Sequence, residues 1–186
     1  MDQRGLVGRA QRGDHDAFAL LAGATIARLD AAARLILRDH DLARDAVQEA
    51  MVRAWRDLPT LRDVDRFDAW LHRLLVNACL DLVRRRKRHL AEIELTPLHS
   101  PAVADFSGSV VDRDLLDHAL RALAPDRRAV VVLHYYLGMP LPEVAKCLGL
   151  NLGTAKSRLH RSLRDLRSSV TVGDGTAERV PEGRFA

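Results

Sequence analysis

PLPEVAKCLGLNLGTAKSRLHRSLRDLR, residues 140–167, decides the fold of the C-terminal half. Pro142 to Leu148 is a short stretch of helical period with Val144, Ala145 and Leu148 on its inner side, and Gly149-Leu150-Asn151 makes a tight turn. A longer helix follows from Leu152 or Gly153 to about Ser168. This order of short helix, glycine turn and second helix is a helix-turn-helix. Leu159, Leu163 and Leu166 form the inner face of the last helix. The rest of that helix, Lys156, Ser157, Arg158, His160, Arg161, Arg164 and Arg167, sets five cations against the single Asp165. Such a face suits phosphates and guanine edges, because Arg can pair with O6 and N7 together while Lys and Ser hold the backbone. The alternative is a bundle helix with a basic solvent side.

Upstream of the motif, Leu115, Leu116, Ala119, Leu120 and Leu123 share one apolar face, and Pro125-Asp126 opens a further helix that Gly138 and Pro140 end. Before that lies a stretch of different character. Residues 90–111 carry Pro97, Pro101, Ser107, Gly108 and Ser109 with no sustained period, and read as a linker. The N-terminal block predicts three or four helices: one from Leu6 to about Ala24 broken at Gly13-Asp14, one from Ile26 to Arg38, one from Asp41 to Leu58 stopped by Pro59, and one opening at Phe67. In this last helix Arg73, Asn77, Asp81 and Arg84 recur every three or four residues and so share a side. It runs into Arg84-Arg85-Arg86-Lys87-Arg88, which is either a nucleic-acid contact or a solvated helix end favoured by the dipole. Trp55 and Trp70 fall on apolar faces and read as core.

The chain has 186 residues and 47% hydrophobic side chains, enough for two small helical modules, and strand signals are nearly absent. The expected fold class is all-α, two small helical domains joined by a flexible linker. The net charge of +4 is small, but residues 1–90 hold 17 basic and 13 acidic side chains, 113–167 hold ten and five, and 91–112 hold four acidic and no basic ones. Two cationic modules are therefore separated by an acidic segment. The tail, residues 169–186, is expected to be disordered. No apolar run is long enough to cross a membrane and the N-terminus lacks a signal peptide's pattern, so a cytoplasmic location is expected. Cys79 and Cys147 have no CxxC or CxxH neighbour, and the eight histidines make no HxxxH pair. No catalytic residues, metal or cofactor are expected, and the chain does not read as an enzyme.

The residues carry a resemblance over about positions 1–89 and 112–168. GDHDAFALL, DLARDAVQEAMVRAW and FDAWLHRLLVNACLDLVRRRKR resemble the successive helices of region 2 of the extracytoplasmic-function (ECF, group IV) RNA polymerase sigma factors of the sigma-70 family. LRALAPDRRAVVVLHYYLGMPLPEVAKCLGLNLGTAKSRLHRSLRDLR resembles their region 4. The resemblance implies a bacterial specificity subunit that joins core RNA polymerase through the β and β′ subunits, reads the −35 and −10 elements of promoter DNA, and is commonly held by an anti-sigma factor. It implies polymerase contacts at Asp45, Gln48 and Glu49. It implies a −10 base pocket at Asn77, with Ala78, Cys79, Leu80 and Asp81 beside it and Arg84, Arg85, Arg86, Lys87 and Arg88 on the backbone. For −35 recognition it implies Lys156, Ser157, Arg158, His160 and Arg161, with Gly153 and Thr154 near phosphate at the helix N-terminus. The sequence departs from the family at Pro140 and Pro142, where a hydroxyl cap and acidic residues are usual, and at Ala155, where a larger apolar residue is usual. The reading from a different class is a stand-alone helix-turn-helix regulator; a third is an anti-sigma or adaptor protein.

Overall fold

The computed structural model describes residues 2–93 and 119–174, and every described element is helical. The N-terminal block contains α1 (Gln3–Gln11), α2 (His15–Leu37), α3 (His40–Asp57) and α4 (Phe67–Ile93), with two 3-10 turns, Leu58–Thr60 and Val64–Arg66, between α3 and α4. Aspartates start three of these helices. Asp2, Asp14 and Asp39 each accept hydrogen bonds from backbone N–H groups of the following first turn, which would otherwise lack partners. Between α1 and α2, Gly13 takes φ +89°, Gly13 N–H donates to Ala10 O and Asp14 N–H to Arg9 O, the paired bonds that close a helix at a left-handed glycine.

The core of this block lies where α3 meets α2 and α4. α3 offers Ala43, Ala46, Ala50 and Ala54, all fully buried, and these small side chains admit the larger Leu29 and Ile36 of α2 and Phe67, Leu71 and Leu75 of α4. Each such fully buried Leu, Ile or Phe contributes about 1.5–3 kcal/mol. Gln11 spans back from α1, its Nε2 donating to Leu58 O and Leu61 O, and so pins the turns after α3. Trp55 packs on α2, stacked on His15 and edge-on to Phe18.

The C-terminal block contains α5 (Pro125–Val131), a π turn at Val132–Tyr136, α6 (Leu141–Cys147) and α7 (Leu152–Asp174). α7 packs across α5 and α6, with Ala155 fully buried. The turn of the helix-turn-helix forms as its glycine requires. Gly149 sits at φ +64°, Gly149 N–H donates to Lys146 O and Leu150 N–H to Ala145 O. Asn151 then caps α7, its Oδ1 accepting from Thr154 N–H at 2.7 Å.

Three expectations need correction. Residues 15–37 are one helix, not two: Gly23 lacks a following breaker, and Thr25 Oγ1 donates to Leu21 O within the unbroken helix. The segment expected as linker from residue 90 begins as helix, because Leu90, Ala91 and Glu92 continue α4 with good helix formers to Ile93. The tail expected as disordered from residue 169 is helical to Asp174. The helix after Pro125 does end at Gly138, at φ +71°, as its sequence predicts, with its last turn widened to a π turn that Leu137 N–H closes on Val132 O. Residues 94–118, with Leu115 and Leu116, and 175–186 lie outside the described residues.

The two blocks pack together. α2 and α4 touch α5, α2 touches the π turn, and α4 touches α6, so that one apolar core runs through both halves.

Candidate functional site

Three surfaces collect the residues singled out in the sequence. The first is an open groove of about 640 Å³ between α2 and α3, lined by Ile26, Asp30, Arg34, Val47, Gln48, Met51 and Val52 among others. Ile26 and Val52 are large apolar side chains left 46% and 57% exposed on its walls. An apolar groove with polar edges is what a helix of another protein fits. Gln48 lines this groove; Asp45 and Glu49 are exposed on the same helix, one turn apart, and Glu49 holds Arg53 at 2.7 Å. The sequence reading missed Ile26 and Val52 as surface residues, although Val52 sits beside the polar Arg53 and off the apolar stripe of α3.

The second surface is the outer side of α4. At about 100° per residue, Arg73, Asn77, Asp81, Arg84 and Arg88 fall within an arc of roughly 80°. Asn77 and Asp81 are half-buried and Arg84 and Arg88 exposed. Asp81 accepts from Arg84 at 2.9 Å and lies 3.7 Å from Arg53. Ala78 and Cys79 point inward and are buried, and burial pushes the Cys79 thiol up to about 12. The five-residue basic run does not form one face, since consecutive helical residues wrap the whole circumference. Arg86 points away from Asn77 and pairs with Asp39 at 3.0 Å, so it braces α4 against the start of α3. Arg85, Lys87 and Arg88 have no acidic partner among the described residues.

The third surface is the start of α7. Gly153, Lys156, Ser157, His160 and Arg161 share an exposed side, with Thr154 half-buried at the first turn. Arg161 is drawn back along the helix, its guanidinium donating to Ser157 O and Ser157 Oγ. A Cβ on Gly153 would meet Asn151 Oδ1 at 3.5 Å, an ordinary contact, and the glycine leaves the helix N-terminus open. Arg158 stands at the edge of this side, about 60° around the helix from Arg161, and its guanidinium pairs with Asp126 of α5 at 3.1 Å. Asp165, read as a lone acid on the basic face, is likewise bonded to Arg127 at 2.5 Å.

Three buried polar residues escaped the sequence reading. Ser162 is fully buried and donates to Arg158 O, a bond local enough to leave no sequence signal. His72 is 8% exposed between α1, α2 and α4, and its burial lowers the imidazole below its ordinary value, the Asp68 charge opposing this. Arg128 is 7% exposed at the seam between the blocks, lowered to about 10 by burial and then by the nearby Arg38 charge. Among the described residues no cluster of His, Cys, Asp or Glu could hold a metal, and no helix is long and apolar enough to cross a membrane.

Comparison with known proteins bears on these surfaces. Sigma-70 region 2 matches residues 23–89, which include the groove and the α4 stripe, and Sigma-70, region 4 matches 113–166, which include the start of α7. The RNA polymerase sigma-E factor of Streptomyces coelicolor is 36% identical over 142 residues, 76% of this chain and 79% of the relative. The ECF RNA polymerase sigma factor SigM of Mycobacterium tuberculosis is 37% identical over 151 residues, 81% of this chain and 75% of the relative. Among solved structures, the sigma factor RpoE in complex with the anti-sigma factor NepR from Bartonella quintana superposes with TM-score 0.69 and 26% identity over 83% of this chain and 97% of that one. CnrH in complex with the cytosolic domain of CnrY superposes with TM-score 0.65 and 28% identity over 91% and 97%.

Proposed function

The chain belongs to the ECF RNA polymerase sigma factors, and from that premise we propose how its surfaces divide the work of promoter-specific initiation. The α2–α3 groove, with Gln48 on its wall and Asp45 and Glu49 beside it, takes core RNA polymerase through the β and β′ subunits. Ile26 and Val52 supply the apolar part of that contact and Asp45 and Glu49 the polar rim.

The α4 stripe takes the −10 element. Asn77 presents a carboxamide that can both donate to and accept from the edge of an unstacked base, and Arg84 and Arg88 lie along the same side for the strand that carries it. Unstacking costs a few kcal/mol, which the amide contacts and the backbone cations offset. Arg85 and Lys87 reach flanking phosphates, while Arg86 stays with Asp39. The start of α7 enters the major groove of the −35 element, with Lys156, Ser157, His160 and Arg161 as the reading set and Gly153 and Thr154 at phosphate, where the helix N-terminus favours an anion.

On this reading the protein is a non-enzymatic specificity subunit that works in the cytoplasm with polymerase, its two modules falling near residues 1–89 and 112–168. An anti-sigma factor is its expected regulator, since the similar sigma factor RpoE was solved with the anti-sigma factor NepR bound. The observation that carries the reading is the presence, in each of two blocks, of one exposed cationic side on a well-anchored helix.

The test is reconstitution with core polymerase. Run-off transcription and a fluorescent probe at the −10 non-template base should report promoter-specific opening, and Asp45→Arg with Glu49→Arg should abolish it. A chain that never yields an open complex on any genomic promoter, or never binds core polymerase, overturns it in favour of a stand-alone regulator.

A further inference from the structure

Four charged side chains run in a line from α3 to the outer side of α4. Arg53 Nε on α3 donates to Glu49 Oε1 at 2.7 Å. The same guanidinium turns its Nη1 toward Asp81 Oδ2 on α4, at 3.7 Å. Asp81 gives its other oxygen, Oδ1, to Arg84 Nη1 at 2.9 Å. One carboxylate is thus shared between two arginines, one from each helix.

The two arginines are not equivalent. Arg53 is the least exposed of the four side chains, at 23%, and its bond to Glu49 one turn back fixes it beside α4. Arg84 is 67% exposed and lies on the same side of α4 as Asn77, where the −10 strand is placed. At 2.9 Å Asp81 holds Arg84 by a hydrogen bond, whereas at 3.7 Å it holds Arg53 by charge alone.

That asymmetry bears on what DNA binding demands. A phosphate that takes the Arg84 guanidinium must draw it away from Asp81. Without a second cation, the exchange would leave a half-buried carboxylate unpaired and set its charge against the incoming phosphate, and both effects oppose binding. Arg53 removes both. Its Nη1 has only to move from 3.7 Å to hydrogen-bond distance to take over Asp81 as Arg84 leaves. Glu49, Arg53, Asp81 and Arg84 together are neutral, and without Arg53 the group carries a net negative charge beside the DNA surface.

We propose that Arg53 is a positioning residue for −10 capture: it stands ready to take the Asp81 carboxylate, so that Arg84 can exchange Asp81 for a DNA phosphate beside Asn77. This role deepens the sigma-factor reading and rests on it, but its first test needs neither polymerase nor DNA.

In the free full chain, NMR of the arginine side chains follows exchange of the Arg84 guanidinium protons with water. Arg53→Met leaves Asp81 to Arg84 alone and should slow that exchange several-fold, and Asp81→Asn should speed it. Arg53→Gln, shorter and polar, should act in the same direction as Arg53→Met, and each variant should keep the wild-type circular dichroism. Arg84 exchange unmoved in both Arg53 variants overturns the role whatever DNA binding gives.

The second test uses holoenzyme and a fluorescent single strand carrying the −10 element of a promoter recovered by run-off transcription. Arg53→Met should weaken binding about threefold, the scale of one partly exposed ion pair, and should lower the slope of log affinity against log salt by about 0.7, the share of one phosphate on a single strand. Asp81→Asn should bind at least as tightly as wild type, and adding Arg53→Met to it should change neither quantity. Equal losses in the two backgrounds would show Arg53 acting on DNA directly and overturn its action through Asp81. Slowed exchange in the free chain, with a wild-type holoenzyme that binds no −10 strand, keeps the Arg53–Asp81–Arg84 linkage and overturns the −10 assignment of α4 instead.

Discussion

Arg158 on α7 reaches back 3.1 Å to the Asp126 carboxylate at the start of α5, so an arginine that the family resemblance places among the −35 contacts also ties α7 to the helix before it. Arg161, three residues on, makes only bonds within α7 and remains exposed.

The two arginines should therefore fail differently. Arg158→Ala and Asp126→Ala should each lower the stability of the C-terminal block by about 0.5–1 kcal/mol, the range of a partly exposed pair, and should not add when combined. Arg161→Ala should leave the melting temperature unchanged and weaken −35 duplex binding by about 1–3 kcal/mol, relaxing specificity at one base position. Thermal denaturation and fluorescence anisotropy on wild-type and single-base-variant duplexes measure both.

Much of this molecule was legible from spacing alone, and Arg158 shows where spacing stops. The helical period, the Gly149 turn and the break at Gly13-Asp14 are local signals, each set by a residue acting on its neighbours, and they reappear at their expected places. Which side of a helix a given cation occupies depends on the element packed against it. Arg86 and Arg158 both look free in the sequence because Asp39 and Asp126 lie 47 and 32 residues away. The continuity of α2 through Gly23 was missed for a related reason: a single glycine costs about 1 kcal/mol, which the packing of Leu21 and Leu29 on either side outweighs. The packing of the two blocks was likewise invisible, since contacts such as Arg66 with Glu143 are made across a long connection.

Asp39 carries a pH-dependent share of stability. Burial raises its pKa, but hydrogen bonds from Leu42 N–H, Arg86 and Asp41 N–H outweigh that and hold the carboxyl below its ordinary value. A carboxyl depressed on folding contributes fully above its unfolded pKa, and the contribution is lost as pH falls through the folded one. Urea unfolding should show stability falling as pH drops below about 4. Asp39→Asn keeps an acceptor for the cap and should flatten that part of the fall, whereas Asp39→Ala should cost about 1–2 kcal/mol at neutral pH.

Arg128 is a charge the fold would be more stable without. It is 7% exposed, its guanidinium Nε has no hydrogen-bond partner among the described residues, and Arg38 adds like-charge repulsion. Replacing a buried ion by an apolar side chain of similar length is commonly stabilising, so Arg128→Met should raise stability by about 1–2 kcal/mol. Calorimetry of the full chain checks this.

The groove prediction isolates polymerase binding from DNA reading. Val52 is 57% exposed on the groove wall and off the core, so Val52→Glu alters the surface of α3 without entering the packed interior. Removing a buried valine contact from an interface costs about 1.5 kcal/mol or more, and an unpaired carboxylate in its place adds to the loss, so affinity for core polymerase should drop at least about tenfold. The melting temperature and the anisotropy of an isolated −35 duplex should not move. If polymerase affinity is unchanged in Val52→Glu while Gln48→Ala lowers it, the partner sits along the polar rim of α3 and leaves the apolar wall uncovered. If neither variant lowers it, polymerase docks on another face and the groove assignment fails.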